Sequence, residues 1–185
     1  MTYADGDVYE GEWTDGEHNG EGTMWYYNGN VYEGSWRSGL RAGRGKCTFA
    51  NGGYYKGQWE DDAMSGKGKR VYGDGKRIYK GMFRHGKRNG RGVCHYDASY
   101  KWTSFDGVWI SDGWNEGKIT YNNGDTYNGK TCGFRRHGTG THRWANGDTY
   151  EGEWVKDMRE GQGTCTYSGR DIISGIWKED KLVNV

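Results

Sequence analysis

Tyr9-Glu10-Gly11-Glu12-Trp13 is followed by Gly16, Gly20, Gly22 and Gly29, and the same order returns as Tyr32-Glu33-Gly34-Ser35-Trp36 with Gly39, Gly43, Gly45 and Gly52, a shift of 23 residues (32 − 9). Taking this string as a start, units begin at Tyr9, Tyr32, Tyr55, Tyr79, Phe105, Tyr127, Tyr150 and Ile173, at spacings of 23, 23, 24, 26, 22, 23 and 23. A fixed period outranks other sequence signals, because a repeat that cannot bury its own apolar face must stack on the next.

Two glycines stand eleven and thirteen residues after most starts, as Gly20/Gly22, Gly43/Gly45, Gly66/Gly68, Gly90/Gly92, Gly138/Gly140 and Gly161/Gly163. A later turn is marked by Asn28-Gly29, Asn51-Gly52, Asp74-Gly75, Asn123-Gly124 and Asn146-Gly147, which are strong hairpin signals. Each unit therefore reads as strand, turn, strand, turn. Because side chains alternate along a strand, Tyr9, Gly11 and Trp13 share one face and Glu10 and Glu12 the other. In the second strand Gly22, Met24 and Tyr26 oppose Thr23, Trp25 and Tyr27. The slot of Tyr26 holds Phe49, Tyr72, Tyr96, Trp144 and Tyr167 in other units, an aromatic stripe from repeat to repeat. Glycines opposite the large rings let those rings lie across the backbone and let the sheet curve.

Composition agrees with an array of hairpins rather than a packed globule. The 185 residues include 35 Gly, no Pro and only 32% hydrophobic residues, with the apolar material concentrated in 10 Trp, 15 Tyr and 4 Phe. No apolar run is long enough for a membrane helix and no charged-then-apolar leader opens the chain, so a soluble, intracellular setting is expected.

These residues resemble the MORN (membrane occupation and recognition nexus) repeat family over nearly the whole chain. The resemblance implies an all-β fold: an elongated, single-layered, twisted antiparallel sheet built from stacked β-hairpins, with a shallow aromatic groove. Residues 1–185 are expected to form one array, with a partial unit at 1–8, where Met1 to Val8 aligns with Met24 to Val31, and a terminal half-unit at 173–185. The opening inside a unit suggests excision from a longer chain.

The pattern departs from itself between residues 97 and 137. The segment Asp97 to Ser104 lengthens one unit by three residues, the next offers Trp114-Asn115-Glu116-Gly117 in place of the paired glycines, and the next has Thr131 for Trp and Phe134 for Gly. A kink or a surface shaped for a partner is one reading; drift in an array that tolerates insertion is the other.

Cys47, Cys94 and Cys165 share a slot fifteen residues after their starts. Cys47 and Cys94 lie four strands apart, on the order of 19 Å at ~4.8 Å per strand, too far for a disulfide. Reduced thiols on the groove face fit a cytosolic compartment. Cys132, His137 and His142 are the only candidate metal ligands, but their spacing matches no closed zinc set. No nucleophile has a base at recognisable spacing, and no helix follows the Gly-x-Gly pairs to make a phosphate loop. Neither catalysis nor a cofactor is expected.

Charge is segregated. Residues 1–36 hold eight acidic residues and no Lys or Arg (−8), whereas residues 37–91 hold fifteen Lys or Arg and four Asp or Glu (+11). Arg37, Arg41, Arg44, Lys67, Lys69, Arg70, Arg84, Lys87, Arg88 and Arg91 are expected to line one edge as a basic ridge. Such a ridge suits anionic lipid headgroups or an acidic partner, or serves to keep sheet edges from aggregating.

The leading functional expectation is a non-catalytic scaffold with protein partners. Its groove would consist of Tyr9, Trp13, Tyr26, Tyr32, Trp36, Phe49, Tyr55, Trp59, Tyr72, Tyr79 and Tyr96. The resemblance implies cytoskeletal or membrane-associated assemblies in the cytoplasm. It also implies a homodimer through the terminal repeats, here Tyr150, Trp154, Tyr167, Ile172, Ile173, Ile176, Trp177, Leu182 and Val183. The alternatives it implies are an anionic phospholipid (phosphoinositide) module on the ridge and the regulatory segment of a larger enzyme. Nucleic acid is not expected.

Overall fold

The computed structural model describes residues 1–169 and 171–184; Arg170 and Val185, the latter ending the expected terminal half-unit, lie outside them. The described chain is all-β. Sixteen strands follow one another in sequence order in one open antiparallel sheet, as the hairpin reading requires. None of the described residues forms a helix long and apolar enough to cross a membrane.

The chain divides into two compact units, Met1–Gly90 and Arg91–Val185. The first holds β1 (Val8–Thr14), β2 (Glu17–Trp25), β3 (Val31–Arg37), β4 (Leu40–Thr48), β5 (Tyr54–Glu60), β6 (Ala63–Val71), β7 (Arg77–Arg84) and the start of β8 (Lys87–Tyr96). The second holds the rest of β8 and β9 (Trp102–Ile110), β10 (Gly113–Tyr121), β11 (Thr126–Cys132), β12 (Arg135–Arg143), β13 (Thr149–Val155), β14 (Met158–Thr166), β15 (Ile172–Lys178) and β16 (Lys181–Asn184).

Each repeat hairpin closes on a two-residue turn. Its residues take positive φ at both positions, as at Asp61 (45°) and Asp62 (65°) or Lys156 (50°) and Asp157 (74°), the backbone whose twist matches paired strands. The Asn-Gly pairs lie instead in the four- or five-residue connections between repeats. There Gly29 N–H donates to the Tyr26 carbonyl at 2.9 Å, Tyr26 N–H donates to the Asn30 carbonyl at 2.9 Å, and Gly29 takes φ 82° after the turn. The turns are where the sequence puts them, but the strongest two-residue signal marks the longer loop.

A bulge shapes each regular hairpin. In the first, Gly11 pairs Gly22 and Trp13 pairs His18, so three residues of β2 face one of β1. The glycine eleven places after the start sits in this bulge with positive φ, 82° at Gly20 and 64° at Gly43. The second glycine of the pair lies under the ring: a Cβ at Gly22 would enter the Tyr9 ring, and one at Gly45 the Tyr32 ring. The tyrosine hydroxyl then donates to the carbonyl three residues on, Tyr9 to Glu12 at 3.0 Å, Tyr55 to Gln58 at 2.8 Å and Tyr127 to Lys130 at 2.7 Å. One ring therefore covers two glycines and ties down the bulge.

The tryptophans join one repeat to the next. The indole N–H of Trp36 donates to the Gly22 carbonyl at 3.2 Å, that of Trp59 to Gly45 at 3.2 Å and that of Trp154 to Gly140 at 3.0 Å. Each indole meets its own tyrosine and the preceding one edge to face; Trp59 stands 5.2 Å from both Tyr55 and Tyr32. Such contacts add about 0.5–1.5 kcal/mol each beyond area burial. The ring face is thus the core of the sheet.

Candidate functional site

The ring face is buried more deeply than a groove open to partners would be. Of the expected groove residues, Tyr9, Tyr32, Tyr55 and Tyr79 are at most 1% exposed, and Trp36 and Trp59 are also buried. They pack because the glycines beneath them have no side chains to hold them off, and the next repeat closes over them. Their exposure to a partner is corrected: they support the surface without forming it. Trp13, at 40% exposure beside the first hairpin turn, and the half-buried Tyr26, Phe49, Tyr72 and Tyr96 at the connection-loop end remain reachable.

The same correction divides the self-association set. Tyr150, Trp154 and Trp177 are core, Ile173 and Leu182 are half-buried, Tyr167 is exposed in the connection before β15, and Ile172, Ile176 and Val183 are exposed on the last two strands.

The basic residues do not form one ridge. Arg41, Arg70 and Arg88 point to the ring face. Arg70 lies 3.9 Å from the centre of the Phe49 ring, Arg41 4.5 Å from that of Trp59, and Arg88 is buried at 8% exposure beside Tyr79. Arg37, Arg84 and Lys87 flank hairpin turns, while Arg44, Lys67 and Lys69 stand on the opposite face; Arg91 shares the slot of Arg44 and Lys67. The physical reason is alternation: Arg41 and Arg88 lie six residues before Cys47 and Cys94, an even step, so they share the thiols' face.

Arg41 belongs to a clasp that sequence reading missed. Its Nε and backbone N–H donate to Asp62 Oδ1 at 2.9 and 3.0 Å, and its Nη2 donates to the Asp62 carbonyl at 2.9 Å. Arg136 grips Asp157 and Arg159 grips Asp180 in the same three-bond way. Each guanidinium also stacks on the tryptophan of the following repeat, Arg136 over Trp154 at 4.1 Å and Arg159 over Trp177 at 4.1 Å. The aspartate is the second residue of the next repeat's two-residue turn. The recurring 21-residue Arg-to-Asp separation was the available signal.

In the second unit the ring face opens into a cavity of about 480 Å³. Tyr121, Trp144 and Trp154 form its apolar walls, and Asp125, Arg136 and His142 supply polar groups. His142 stands in the slot that Cys47, Cys94 and Cys165 fill in three other repeats and is 4% exposed. Its Nδ1 is 3.1 Å from Arg136 and its Nε2 is 3.4 Å from Asp125. Burial, with the Arg136 charge, holds the imidazole below its ordinary pKa, while Asp125 pulls the other way. Burial pushes Tyr121 up to about 12.

The metal candidates are not brought together. Cys132 and His137 are exposed while His142 is buried on the cavity wall, and no group of three or more possible ligands occurs among the described residues. Cys47, Cys94 and Cys165 are buried free thiols, as their shared slot implies.

The irregular stretch makes an aromatic cluster in the second unit. Trp114 stacks on Phe105 with centroids 4.6 Å apart and planes 10° apart, and Trp102 and Phe134 meet Trp114 edge to face at 5.0 and 5.2 Å. In the next hairpin Thr131 stands in a tryptophan slot and is buried at 8% exposure. Thr131 Oγ1 and Trp114 Nε1 are buried without a hydrogen-bond partner.

Stacked hairpins in sequence order, each covered by its neighbour's rings, define a repeat protein. The family model of the MORN repeat matches residues 9–31, 32–54, 55–77, 79–97, 135–149 and 150–171, and the chain belongs to that family. The unmatched residues 98–134 include the aromatic cluster. A comparison with curated proteins finds no match. Among solved structures, the chain is similar to the TCP domain of SAS-4 (dCPAP) of Drosophila melanogaster, in complex with a proline-rich motif of Ana2 (dSTIL). That similarity has 11% identity and a TM-score of 0.54, covering 96% of this chain and 94% of that one. It is also similar to the TCP10 domain of Danio rerio CPAP, in complex with a peptide of Danio rerio STIL, at 13% identity and a TM-score of 0.40, over 95% and 92% of the two chains. At 11% identity the likeness to the SAS-4 domain is one of fold alone.

Proposed function

We propose that this chain is a non-catalytic protein-interaction array whose ring face receives an extended peptide, anchored in the cavity of the second unit. The observation that carries this reading is the cavity itself: apolar walls of Tyr121 and Trp144 around a few convergent polar groups, His142, Asp125 and Arg136. A proline-containing segment suits such walls, because a preformed polyproline helix loses little entropy on docking against aromatic rings. The solved TCP domain of SAS-4 is in complex with a proline-rich motif, which makes that peptide class the first to test.

The measurement is fluorescence anisotropy with a labelled proline-rich peptide and a proline-free peptide of equal length and charge. Trp144→Ala and Tyr121→Ala should each weaken binding about tenfold or more. Trp25→Ala, an exposed ring on the opposite face, should leave it unchanged. Equal loss from Trp25→Ala, or no loss from the cavity variants, would sink the reading.

The proposal includes a cytoplasmic setting within a cytoskeletal or membrane-associated assembly, a compartment that the buried free thiols support. It also includes self-association through the exposed Ile172, Ile176 and Val183. Sedimentation of wild type against Ile172→Asp with Ile176→Asp tests that part, since a wild-type monomer at high concentration removes it.

A further inference from the structure

The face of the first unit turned away from the rings carries an unusual row. Lys46 pairs Lys56, Lys56 pairs Lys69 and Lys69 pairs Lys80, four lysines directly opposite one another on successive strands β4 to β7. Like charges placed opposite one another destabilise a sheet. Across the line of paired glycines, Arg44 and Lys67 stand in a second row on the same face. Between the rows lies an open cleft of about 870 Å³, floored by Gly22, Gly34, Gly45 and Gly57 and flanked by Arg44, Lys46, Lys56 and Lys67. Among the described residues only Lys46 of the lysine row has a carboxylate within ion-pair distance, Glu33 at 3.9 Å. Tyr54 lies beneath the row, with Lys46 and Lys69 at 5.8 and 5.4 Å from its ring centre.

We propose that this cleft is a docking site for an extended acidic peptide segment, separate from the ring-face site. The argument is charge complementarity joined to shape. Four cations, Arg44, Lys46, Lys56 and Lys67, flank a recess whose walls are two residues apart along each strand, ~6.8 Å, and Lys69 and Lys80 continue the row beyond it. Four lysines at ~4.8 Å per strand span ~14 Å, and alternate side chains of an extended peptide repeat every ~6.8 Å, so about three carboxylates match the row. The middle carboxylate would sit between Lys56 and Lys69 and the outer two over Lys46 and Lys80, so that attraction offsets the repulsion along the row. A lipid surface is flat and would touch the tips of the rows without entering between them. Glu21 and Glu33 close one end of the cleft. The acidic part of the segment therefore lies toward β5–β7, with a neutral or basic residue at the β2–β3 end.

The test uses the full chain and a fluorescein-labelled peptide of alternating glutamate and alanine, with its lysine counterpart as control, read by anisotropy at low and moderate salt. Binding of the acidic peptide is expected, weakening as salt rises. Lys56→Glu with Lys69→Glu should weaken it about tenfold or more. Arg84→Glu with Lys87→Glu, an equal charge change beside a turn, should have little effect, and Trp144→Ala none. The row reversal turns the contacts of positions 56 and 69 with Lys46 and Lys80 into opposite-charge ones and leaves those two positions alike, so a melting temperature at or above wild type shows that its fold is intact. The proposal is overturned if neither peptide binds, if the two reversals weaken binding equally, or if phosphatidylserine vesicles bind in a row-dependent way while the acidic peptide does not.

Discussion

At the scale of single residues, His142 is the sharpest probe, because three other repeats put cysteine in its place. Burial and Arg136 hold its pKa below the ordinary histidine value of about 6.5, so the unfolded chain takes up the proton more readily than the folded one. Its contribution is complete above that pH and is lost as pH falls through it toward the folded value. Asp125 faces the ring and, although burial works against its charge, hydrogen bonds from Asn123 and the Ala145 N–H keep it below the usual carboxylate range, ionised through this window. His142→Cys should flatten the fall in melting temperature between about pH 7.5 and pH 5.5, leaving the same-sign effect of His18 in the other unit. An unchanged profile would show that the imidazole is not responsible. Thr131→Val should raise stability by about 1 kcal/mol in urea denaturation, since it removes a buried hydroxyl with no partner. Much at this scale was open to sequence reading. The even spacing from Arg41 to Cys47 already assigned the guanidinium to the ring face, but the pooling of charge by region concealed it. The depth of burial was not legible, because it arises when the following repeat closes over each ring.

At the scale of the hairpin, the two departures in the irregular unit are one event. Phe105 has no hydroxyl to hold a bulge, and the bulge there is smaller: Trp114 pairs Trp109 and Glu116 pairs Val108, leaving only Asn115 unpaired. No residue of that hairpin's second strand needs the left-handed backbone, so the first glycine of the pair is absent. The hairpin that starts with Ile173 in the tyrosine slot behaves alike, with Val183 alone unpaired between Asn184 and Leu182. Tyr127→Phe should therefore cost about 0.5–1.5 kcal/mol by urea denaturation, and Phe105→Tyr should gain nothing. A gain from Phe105→Tyr would separate hydroxyl from bulge. The 23-residue period and the paired glycines made this element legible. Turn length was not, because Asn-Gly serves a two-residue hairpin and a longer connection equally well by its tolerance of positive φ.

At the scale of the whole molecule, the described strands within each unit make substantial contact only with their sequence neighbours, as in other repeat proteins, so stability is a sum of local terms. Asp157→Ala, which strips Arg136 of its three bonds, should cost about 1–3 kcal/mol. By hydrogen exchange the loss of amide protection should centre on β11–β14 and spare β1–β5; a uniform loss would mean that the chain opens as one body. Those clasps also give the repeats a syntax. The repeat from Tyr150 carries both an acceptor, Asp157, and a donor, Arg159, and so can follow another copy of itself. The repeats from Tyr32 and Tyr127 offer a donor, Arg41 or Arg136, but have Ser38-Gly39 or Gly133-Phe134 where the acceptor would stand. The repeat from Tyr55 has the acceptor Asp62 and Met64 in place of the donor. A chain lengthened by duplicating residues 150–172 keeps every bond, whereas one lengthened by duplicating residues 32–54 leaves an arginine facing a glycine. The order of the repeats is thus inherited as a set of permitted neighbours.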